Sequence, residues 1–394
     1  MNQAQNHNST KRLSLIITAI LLLSMTLFSG CAIIEDVVET ATMPEPTAED
    51  TFLSIPELNK AMNEAMMNGE TEMTFNVANI TEDELAHIAK NMSPFWGVPE
   101  SYTINREFHE VENIIPGEHV NVKHVTSKFD LSDNYFVVKN IRDGEPIPST
   151  EPNAIALAAA APSVTGEAFT GAGETPYDKA LALHNWLVTN LTYDETVEDI
   201  GPQNGSYGAL INRRTMCQGY AEAMQLLLTC YTDIENEIII GTAQSEPNAE
   251  WVGHAWNMIN IDGQYYHIDI TFDDPQNNDS VGISHFYFAQ NDLVMQTNHH
   301  WEAEFFPSAK GEAFHYFINA GLFVQSMLDF EAVVTNAVTD RTPETIEIAA
   351  TDITVDEAAL QFVFKANESI NEIHWTAIPY NTVMIYSIEP KYIG

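Results

Sequence analysis

The chain has 394 residues, of which 45% are hydrophobic, so it can bury a sizeable core in about two or three domains. Its 56 acidic residues outnumber the 16 basic ones and give a formal net charge of -40 at pH 7. Nucleic-acid binding, like attachment to an anionic membrane through a basic face, needs clustered Lys and Arg, so the composition excludes both. We therefore predict no nucleic-acid partner. One hypothesis for the excess of acid is a saline or cation-rich habitat.

The first 30 residues have the pattern of a secretory signal peptide. Lys11-Arg12 precede an apolar run over 13–28, which is shorter than the roughly 20 residues of a membrane-spanning helix but suits a signal-peptide core. The run ends in FSGC at 28–31, which resembles the lipobox of bacterial lipoproteins, with Phe28 where Leu is usual. We predict a lipoprotein signal peptide over 1–30 and an extracytoplasmic protein anchored to the cell membrane by lipidated Cys31. An uncleaved anchor helix and an ordinary signal peptide are the alternatives.

Composition divides the next part of the chain into three segments. Residues 32–50 hold six acids, no bases and a Pro-Glu-Pro triplet, so we predict an acidic tether over 31–50. Helical and strand patterns alternate over 51–142, which predicts a small α+β N-terminal domain. Three prolines and a glycine over 143–152 indicate the start of a linker, predicted over 143–174. Within the N-terminal domain we expect a helix capped by Thr81 and strands over 101–105, 120–125 and 134–139.

Two further helices are predicted beyond residue 174. Thr175-Pro176 supplies an N-cap and a proline at the first helical position, and apolar residues then recur at helical spacing from Tyr177 to Leu191. His184 lies on that apolar face, where we expect a histidine satisfied within the core. A second helical pattern runs from Met216 to Cys230.

A β-hairpin with a two-residue turn is predicted around Asp262-Gly263. This dipeptide is preferred in type I′ turns, and alternating patterns over 255–261 and 264–270 flank it. The turn pairs its two flanking residues directly, so His254 and Asp269 become diagonal neighbours on one face of the hairpin. A carboxylate beside an imidazole holds the orientation and tautomer of the ring and stabilises its charged form.

Cys217 begins the second predicted helix, where unpaired backbone N–H groups and the positive end of the helix dipole favour the thiolate. The Cys217 N–H can donate to the oxyanion formed when a carbonyl is attacked. Tyr207 is a candidate second donor, with core packing as its equal alternative. Gly219 weakens a helix relative to Ala, which fits close approach by a substrate or a neighbouring strand. Cys230 lies about 20 Å further along the helix, beyond the reach of a disulfide, so both thiols are expected to be free.

Five stretches of sequence surround these residues: MCQGYAEAM at 216–224, GHAWNMI at 253–259, DGQYYHIDITFDDP at 262–275, YDKALALHNWLVTNLTYD at 177–194, and HFYFAQND with a later HHW between 285 and 301. They resemble the bacterial extracytoplasmic branch of the transglutaminase-like superfamily. The resemblance implies an α+β fold with a papain-like core, in which a helix bearing the cysteine packs on an antiparallel sheet bearing the histidine and the aspartate. It also implies Cys217 as nucleophile, His254 as general base and acid, and Asp269 as third member of a triad. Thr215 and Phe272 stand where the family usually has Gly and Trp.

The resemblance covers 175–305, which we predict as the catalytic core. Alternating runs over 346–386 predict a β-rich C-terminal extension over 306–394. The histidines and acids around the hairpin lack the converging spacing of a zinc site, so we predict no metal and no cofactor; these residues are His267, Asp273, Asp274, His299 and His300. For His267 we expect packing within the sheet.

The predicted chemistry is acyl transfer through a thioester on Cys217. The expected partner is a protein or peptide substrate, and a cell-wall-associated substrate fits the predicted location. Release of the acyl group to water gives a cysteine peptidase or amidase, the first interpretation, because an exposed extracytoplasmic cleft has water in excess. Release to an amine gives a cross-linking transglutaminase, the second. A non-catalytic cell-surface binding module is the third, and the complete triad argues against it.

Overall fold

The structure is a computed structural model that describes residues 43–197, 201–245, 248–275, 282–313, 315–340, 345–380 and 382–393. The predicted signal peptide, Cys31 and most of the predicted tether lie outside the described residues. The chain forms two compact units, the smaller comprising residues through 61, 72–86 and 99–128, and the larger comprising 62–71, 87–98 and 129 onward. Within the described ranges, no helix has both the length and the apolar character needed to cross a bilayer.

The N-terminal elements, in chain order, are β1 (Thr51–Phe52), α1 (Ile55–Met67), β2 (Glu72–Ala78), α2 (Glu82–Asn91), β3 (Gly97–Glu112) and β4 (His119–Leu131). Their strands form a four-stranded sheet in the order β1-β2-β4-β3. The predicted strands over 101–105 and 120–125 lie within β3 and β4. The predicted cap of α2 is also present, because Thr81 Oγ1 accepts from the Glu84 N–H at 3.1 Å and Glu84 Oε2 accepts from the Thr81 N–H at 2.7 Å.

The predicted strand over 134–139 is wrong. The chain forms α3 (Asp133–Val138) there, and the helix is capped by Ser132, whose hydroxyl accepts from the Tyr135 N–H at 3.3 Å. The apolar run that suggested a strand is too short for its periodicity to separate a strand from a buried helical turn. The Ser-Asp pair ahead of the run is the N-terminal helix signal that decides between them.

The predicted linker over 143–174 is wrong in its central part. Residues Pro152–Ala168 form α4, which buries one face in the main hydrophobic core through Ala154, Leu157, Ala161 and Val164. Pro152 is the first residue of this helix, a position where proline is favoured because its missing N–H has no helical acceptor to lose. A proline taken as a linker signal is therefore a helix start.

The core sheet is five-stranded and antiparallel, in the order β10-β9-β8-β7-β11 with the strands defined as β7 (Asn236–Ala243), β8 (Val252–Ile261), β9 (Gln264–Ile268), β10 (Phe288–Gln290) and β11 (His299–His300). Before it come α5 (Pro176–Asn190), β5 (Thr192–Tyr193), β6 (Arg214–Thr215) and α6 (Cys217–Tyr231). Helix α6 packs against β8, and Asn257 Nδ2 donates to the Ala221 carbonyl at 2.9 Å across that contact. This helix-on-sheet arrangement confirms the predicted α+β class and its papain-like core.

Two short helices interrupt the strands of the core, α7 (Ile270–Asp273) and α8 (Asp292–Met295). The C-terminal part then adds α9 (His315–Asn319), β12 (Phe323–Val324), α10 (Met327–Asp340), β13 (Ile346–Thr351), α11 (Gln361–Ala366), β14 (Ile370–Tyr380) and β15 (Val383–Tyr392). Its four strands form a separate sheet in the order β12-β13-β15-β14. The predicted β-rich extension therefore has a sheet of its own. Helices also pack on this sheet: α10 contacts β13, and α11 contacts β14.

Candidate active site

Cys217 is the first residue of α6 and is partly exposed, as is expected of a reactive thiol. Gly219, two positions further into the first turn, lies against Thr215 in the strand ahead of the helix. A Cβ on Gly219 would come within 2.7 Å of both Thr215 Cβ and Thr215 Cγ2. The neighbouring strand predicted from this glycine is therefore β6. Cys217 and Cys230 are both free thiols in the described part of the chain, as the helical separation predicted.

His254 lies on β8, and the hairpin that carries it has the predicted register. Ile261 pairs with Gln264, and the turn residues Asp262 and Gly263 have φ values of 52° and 82°. Positive φ at both central positions defines a type I′ turn, whose twist matches that of the flanking strands. The turn chemistry thus places His254 at the end of the hairpin that lies over the start of α6.

Asp269 ends the second hairpin strand and begins a helix. Strand β9 stops at Ile268, two residues earlier than the alternating pattern predicted, and Asp269 is the N-cap of α7. Its Oδ1 accepts from the Phe272 N–H at 3.1 Å, while its Oδ2 accepts from His254 Nε2 at 2.7 Å. The predicted neighbours are therefore hydrogen-bonded, although Asp269 is held by a helix cap and not by the sheet.

The side chain of His254 and the backbone N–H of Ala255 interact with the Cys217 thiol, and both interactions lower its pKa. Because His254 Nε2 is directed at Asp269, the ring nitrogen left for the sulfur is Nδ1. Burial raises the pKa of the Cys217 thiol, but these two interactions and the charge of His254 outweigh burial and bring that pKa below its ordinary value. His254 is thus hydrogen-bonded to Asp269 and interacts with the Cys217 thiol.

Burial and neighbouring charges change the pKa values of His254 and Asp269 in opposite directions. Burial lowers the pKa of His254, but the charge and hydrogen bond of Asp269, with those of Cys217, raise it to about 10. Burial likewise raises the pKa of Asp269, but the charge of His254 and hydrogen bonds from two imidazoles hold it well below its usual range. These shifts favour the thiolate of Cys217, the charged imidazole of His254 and the ionised carboxylate of Asp269.

The second imidazole on Asp269 belongs to His299, whose place in the site was not predicted from the sequence. His299 Nε2 donates to Asp269 Oδ2 at 2.9 Å, and both side chains are fully buried. The HHW stretch is the feature of the sequence that contains His299. The alternation of side chains along the hairpin could not place His299 beside Asp269, because β11 joins the sheet by pairing with β7, which is distant from it in sequence.

The ligating atoms of His254, Asp269 and His299 lie within 4.8 Å of one another, so this donor set could in principle receive a metal ion. Two imidazoles and a carboxylate suit zinc or iron. However, both imidazole Nε2 atoms contact the carboxylate at hydrogen-bond distances of 2.7 and 2.9 Å, so each carries the proton that a metal would have to displace. Hydrogen bonding accounts for the cluster.

The other histidines and acids that were considered as metal ligands or core residues do not contact Cys217, His254 or Asp269 through the hydrogen bonds described next. His184 Nε2 donates to Asp273 at 3.0 Å, so His184 is a satisfied core histidine. Asp274 accepts from Tyr220 Oη at 2.7 Å. His267 accepts from Trp256 Nε1 at 3.0 Å and donates to Asp292 at 2.9 Å. His300 stacks on the exposed Trp251 with ring centroids 3.8 Å apart.

Two tyrosines lie near the start of α6. Tyr207 is half-buried and packs against the main core, and its role as an oxyanion donor stays a prediction. Tyr193 was not singled out from the sequence, yet it pairs with Thr215 across β5 and β6, two residues before Cys217. Burial raises the pKa of Tyr193 to about 12, with smaller contributions from the charges of Cys217 and Asp269. Tyr193 is therefore protonated, within the electrostatic reach of the thiol.

Residues 164–270 match the family model of the transglutaminase-like superfamily. This part of the chain belongs to that superfamily. The matched stretch of this transglutaminase-like core contains Cys217, His254 and Asp269 and ends before His299. No curated protein matches the chain.

Solved structures similar to the chain resemble it only distantly. A transglutaminase structure is 12% identical with a TM-score of 0.26, covering 50% of this chain and 51% of its own. A putative cysteine protease from Cytophaga hutchinsonii is 15% identical with a TM-score of 0.24, covering 51% of this chain and 72% of its own. The periplasmic domain of TgpA from Pseudomonas aeruginosa, bound to ethylmercury, is 16% identical with a TM-score of 0.23 and the same coverages. Similarity at this level does not transfer an activity.

Proposed function

We propose that this protein is an extracytoplasmic, lipid-anchored thiol enzyme that cleaves peptide or amide bonds through a thioester on Cys217. The observation that carries the proposal is the His254–Asp269 hydrogen bond, whose imidazole interacts with the Cys217 thiol at the start of α6. The lowered pKa of the thiol and the raised pKa of the imidazole support an ion pair between the two side chains. A thiolate in contact with a charged imidazole combines a nucleophile with a proton donor.

Acylation would begin with attack of the Cys217 sulfur on the substrate carbonyl carbon, as the carbonyl π electrons move onto oxygen. The backbone N–H of Cys217 is a donor for this oxyanion, because it is an unpaired group at the start of a helix. When the carbonyl re-forms, the C–N bond breaks and the departing nitrogen takes the proton from His254 Nδ1. Asp269 stays ionised and orients the ring.

Deacylation would reverse these roles. Neutral His254 Nδ1 accepts a proton from water as the water oxygen attacks the thioester carbonyl. The collapse of that intermediate releases a carboxylic acid and restores the thiolate and the imidazolium. A primary amine that attacks in place of water would leave a new amide, which is cross-linking by the same residues. The acceptor therefore separates a peptidase or amidase from a transglutaminase.

The acceptor can be tested by incubating the full chain with a glutamine-containing protein and a fluorescent primary amine. Mass spectrometry then scores peptide cleavage, conversion of glutamine to glutamate, and incorporation of the amine. We expect hydrolytic products that disappear in Cys217→Ala. Amine incorporation without hydrolysis would favour cross-linking instead. If no product forms and Cys217 labels no faster than Cys230 with a thiol reagent, the proposal fails and a binding module is favoured.

The proposed location depends on residues 1–31, which lie outside the described part of the chain. A lipoprotein signal ending at Cys31 would attach the mature protein to a membrane through a thioether-linked lipid. Metabolic labelling of expressing cells with an alkyne fatty acid should label the wild-type protein and leave Cys31→Ala unlabelled. Equal labelling of both proteins, or labelling of neither, would contradict lipid attachment at this residue.

A further inference from the structure

His299 contacts the same carboxylate oxygen as the imidazole of His254. The Nε2 atoms of His254 and His299 lie 2.7 and 2.9 Å from Asp269 Oδ2, and the Phe272 N–H occupies Oδ1 at 3.1 Å. Three donors therefore surround a fully buried carboxylate. Without His299, the carboxylate would be held by the backbone at one oxygen only, and the direction of its second oxygen would depend on His254 alone.

The core sheet places the two histidines on one face. His254 pairs with Gly241 across β8 and β7, and His299 pairs with Ala243 across β11 and β7. Directly paired residues share a face, as do residues two apart on one strand, so all four residues face the same side. Gly241 and Ala243 have the smallest side chains of all residues, so no bulky group of β7 stands between the two histidines. The ring centroids of His254 and His299 are therefore only 5.7 Å apart.

Gly241 cannot take a larger side chain. A Cβ at this position would lie 2.8 Å from the Trp256 ring and would overlap the His300 carbonyl oxygen. Contacts this short do not occur between ordinary carbon atoms. The glycine therefore keeps β11 close to β7, at the distance from which His299 reaches Asp269.

The ring of His299 is fixed from several directions. Its centroid lies 4.9 Å from that of Trp256, 5.0 Å from that of Phe272 and 5.5 Å from that of Tyr287. Asn298 Oδ1 lies 2.8 Å from its Nδ1 and accepts a hydrogen bond from that nitrogen. A donor held this firmly loses little rotational entropy when it orients its acceptor, which is the property that makes an orienting group effective.

His299 donates to Asp269 from a fully buried position. Burial lowers the pKa of His299, and its hydrogen bond to Asp269 and the charge of that residue offset only part of the effect. The Nε2–H of His299 fixes the Asp269 carboxylate, whose same oxygen accepts from His254 Nε2.

We propose that His299 is a positioning residue of the active site, which holds the Asp269 carboxylate so that its second oxygen points at His254 Nε2. This inference rests on the proposed function. His299 is fully buried and acts through Asp269. The site is then a chain of four residues, in which the last is supplied by a strand outside the part of the chain that matches the superfamily.

The test compares His299→Leu, which removes the donor and keeps the bulk, with His299→Gln, whose amide N–H reaches as far as Nε2. His267→Leu is the matched control, because His267 is equally buried on the same sheet and donates to Asp292 instead. The probe is p-nitrophenyl acetate, which acylates a reactive thiol and releases coloured p-nitrophenolate. Each full-chain variant is assayed for kcat and KM, with its Tm measured in parallel. His299→Asn, whose amide is too short to reach Asp269, replaces the leucine variant if that variant does not fold.

We expect His299→Leu to lower kcat at least about 10-fold, with KM changed by less than about twofold, because an orienting group affects the reaction and not the binding of this small ester. His299→Gln should recover most of the loss, and His267→Leu should retain kcat at a comparable Tm. The inference is overturned if His299→Leu matches His267→Leu in kcat, or if His299→Gln is as slow as His299→Leu. A wild-type protein with no turnover above Cys217→Ala would instead overturn the proposed function, and this inference with it.

Discussion

Glu347 on β13 accepts hydrogen bonds from both the backbone N–H and the Nδ1 of His285, at 3.1 and 2.9 Å. His285 precedes β10 in the core sheet, so this contact joins the C-terminal sheet to the core. His285 Nε2 in turn donates to Asn185 Oδ1 at 2.8 Å. The carboxylate is 6% exposed. The C-terminal part of the chain is therefore bonded to the core through a buried, charged group.

Replacing Glu347 by Gln should destabilise the protein. The amide removes the charge and leaves one buried donor of His285 facing an N–H group, which costs about 1–3 kcal/mol of unfolding free energy. Urea unfolding measures the change. Glu372→Gln is the control, because Glu372 is largely exposed on β14 and should change the unfolding free energy by less than about 0.5 kcal/mol. Equal effects of the two substitutions would show that the contact does not stabilise the fold.

The two free thiols should differ sharply in their reaction with iodoacetamide. The pKa of Cys217 is lowered by His254 and Ala255, whereas burial raises the pKa of Cys230 to about 12. At pH 7 we expect Cys217 to be alkylated fast and Cys230 to stay unmodified, as read by peptide mass spectrometry. His254→Ala should slow alkylation at pH 7 and restore a steep rise with pH, because the thiol then titrates near its ordinary value. Similar rates for both cysteines would contradict the ion pair.

The acyl-transfer rate should fall at high pH for a separate reason. The pKa of His254 is raised to about 10 from an ordinary 6.5, so the imidazolium is lost as the pH rises through about 10. The stability that this charge contributes is fully present below pH 6.5 and is lost over the same rise. Turnover of an amide substrate such as a peptide p-nitroanilide, whose departing nitrogen takes the proton of His254, should therefore decline above pH 10 while alkylation of the thiolate does not. A parallel decline of both rates would indicate unfolding and not titration of His254.

Asp269→Asn should lower turnover by roughly 10²- to 10⁴-fold, because the amide no longer stabilises the charged ring and can bind its wrong tautomer. The variant keeps the shape of the side chain and an oxygen for the cap of α7. Its Tm should consequently change much less than its kcat. Asp292→Asn, at the carboxylate that faces His267, is the matched substitution and should leave kcat within about threefold, because it lies outside the active-site chain. A variant of Asp269 with wild-type turnover would remove this residue from the mechanism.

Gly219→Ala should disturb the start of α6. Its methyl group would lie 2.7 Å from Thr215 Cβ, which no side-chain rotation can relieve, so the turn bearing Cys217 must shift. A shift of this kind near a nucleophile can lower turnover by about 10²-fold. Thr215→Gly removes the opposing atoms, and the double variant should recover part of the loss. Failure of the double variant to recover any activity would place the effect elsewhere in the helix.

The sequence predicted the parts of the site that local chemistry controls. The Asp262-Gly263 turn set the register of His254, and the helix start placed Cys217. The end of β9 was misjudged because Asp269 bonds its own backbone as a helix cap, which an alternating pattern does not reveal. His299 could not be placed, because its strand joins the sheet next to β7, far from the hairpin in sequence. The prediction of a linker over 143–174 was wrong in its central part because Pro152 begins a helix, and the sequence pattern does not separate that role of proline from its role in an extended linker.

The central claim is that Cys217 forms a covalent acyl thioester, and intact-protein mass spectrometry tests it most directly. The full chain is mixed with p-nitrophenyl acetate, quenched with acid within seconds, and digested to locate the modified residue. We predict a single acetyl group on Cys217 that disappears on standing at neutral pH and is absent from Cys217→Ala. An unmodified Cys217 in a sample that releases p-nitrophenolate, or equal release by Cys217→Ala, would contradict the account.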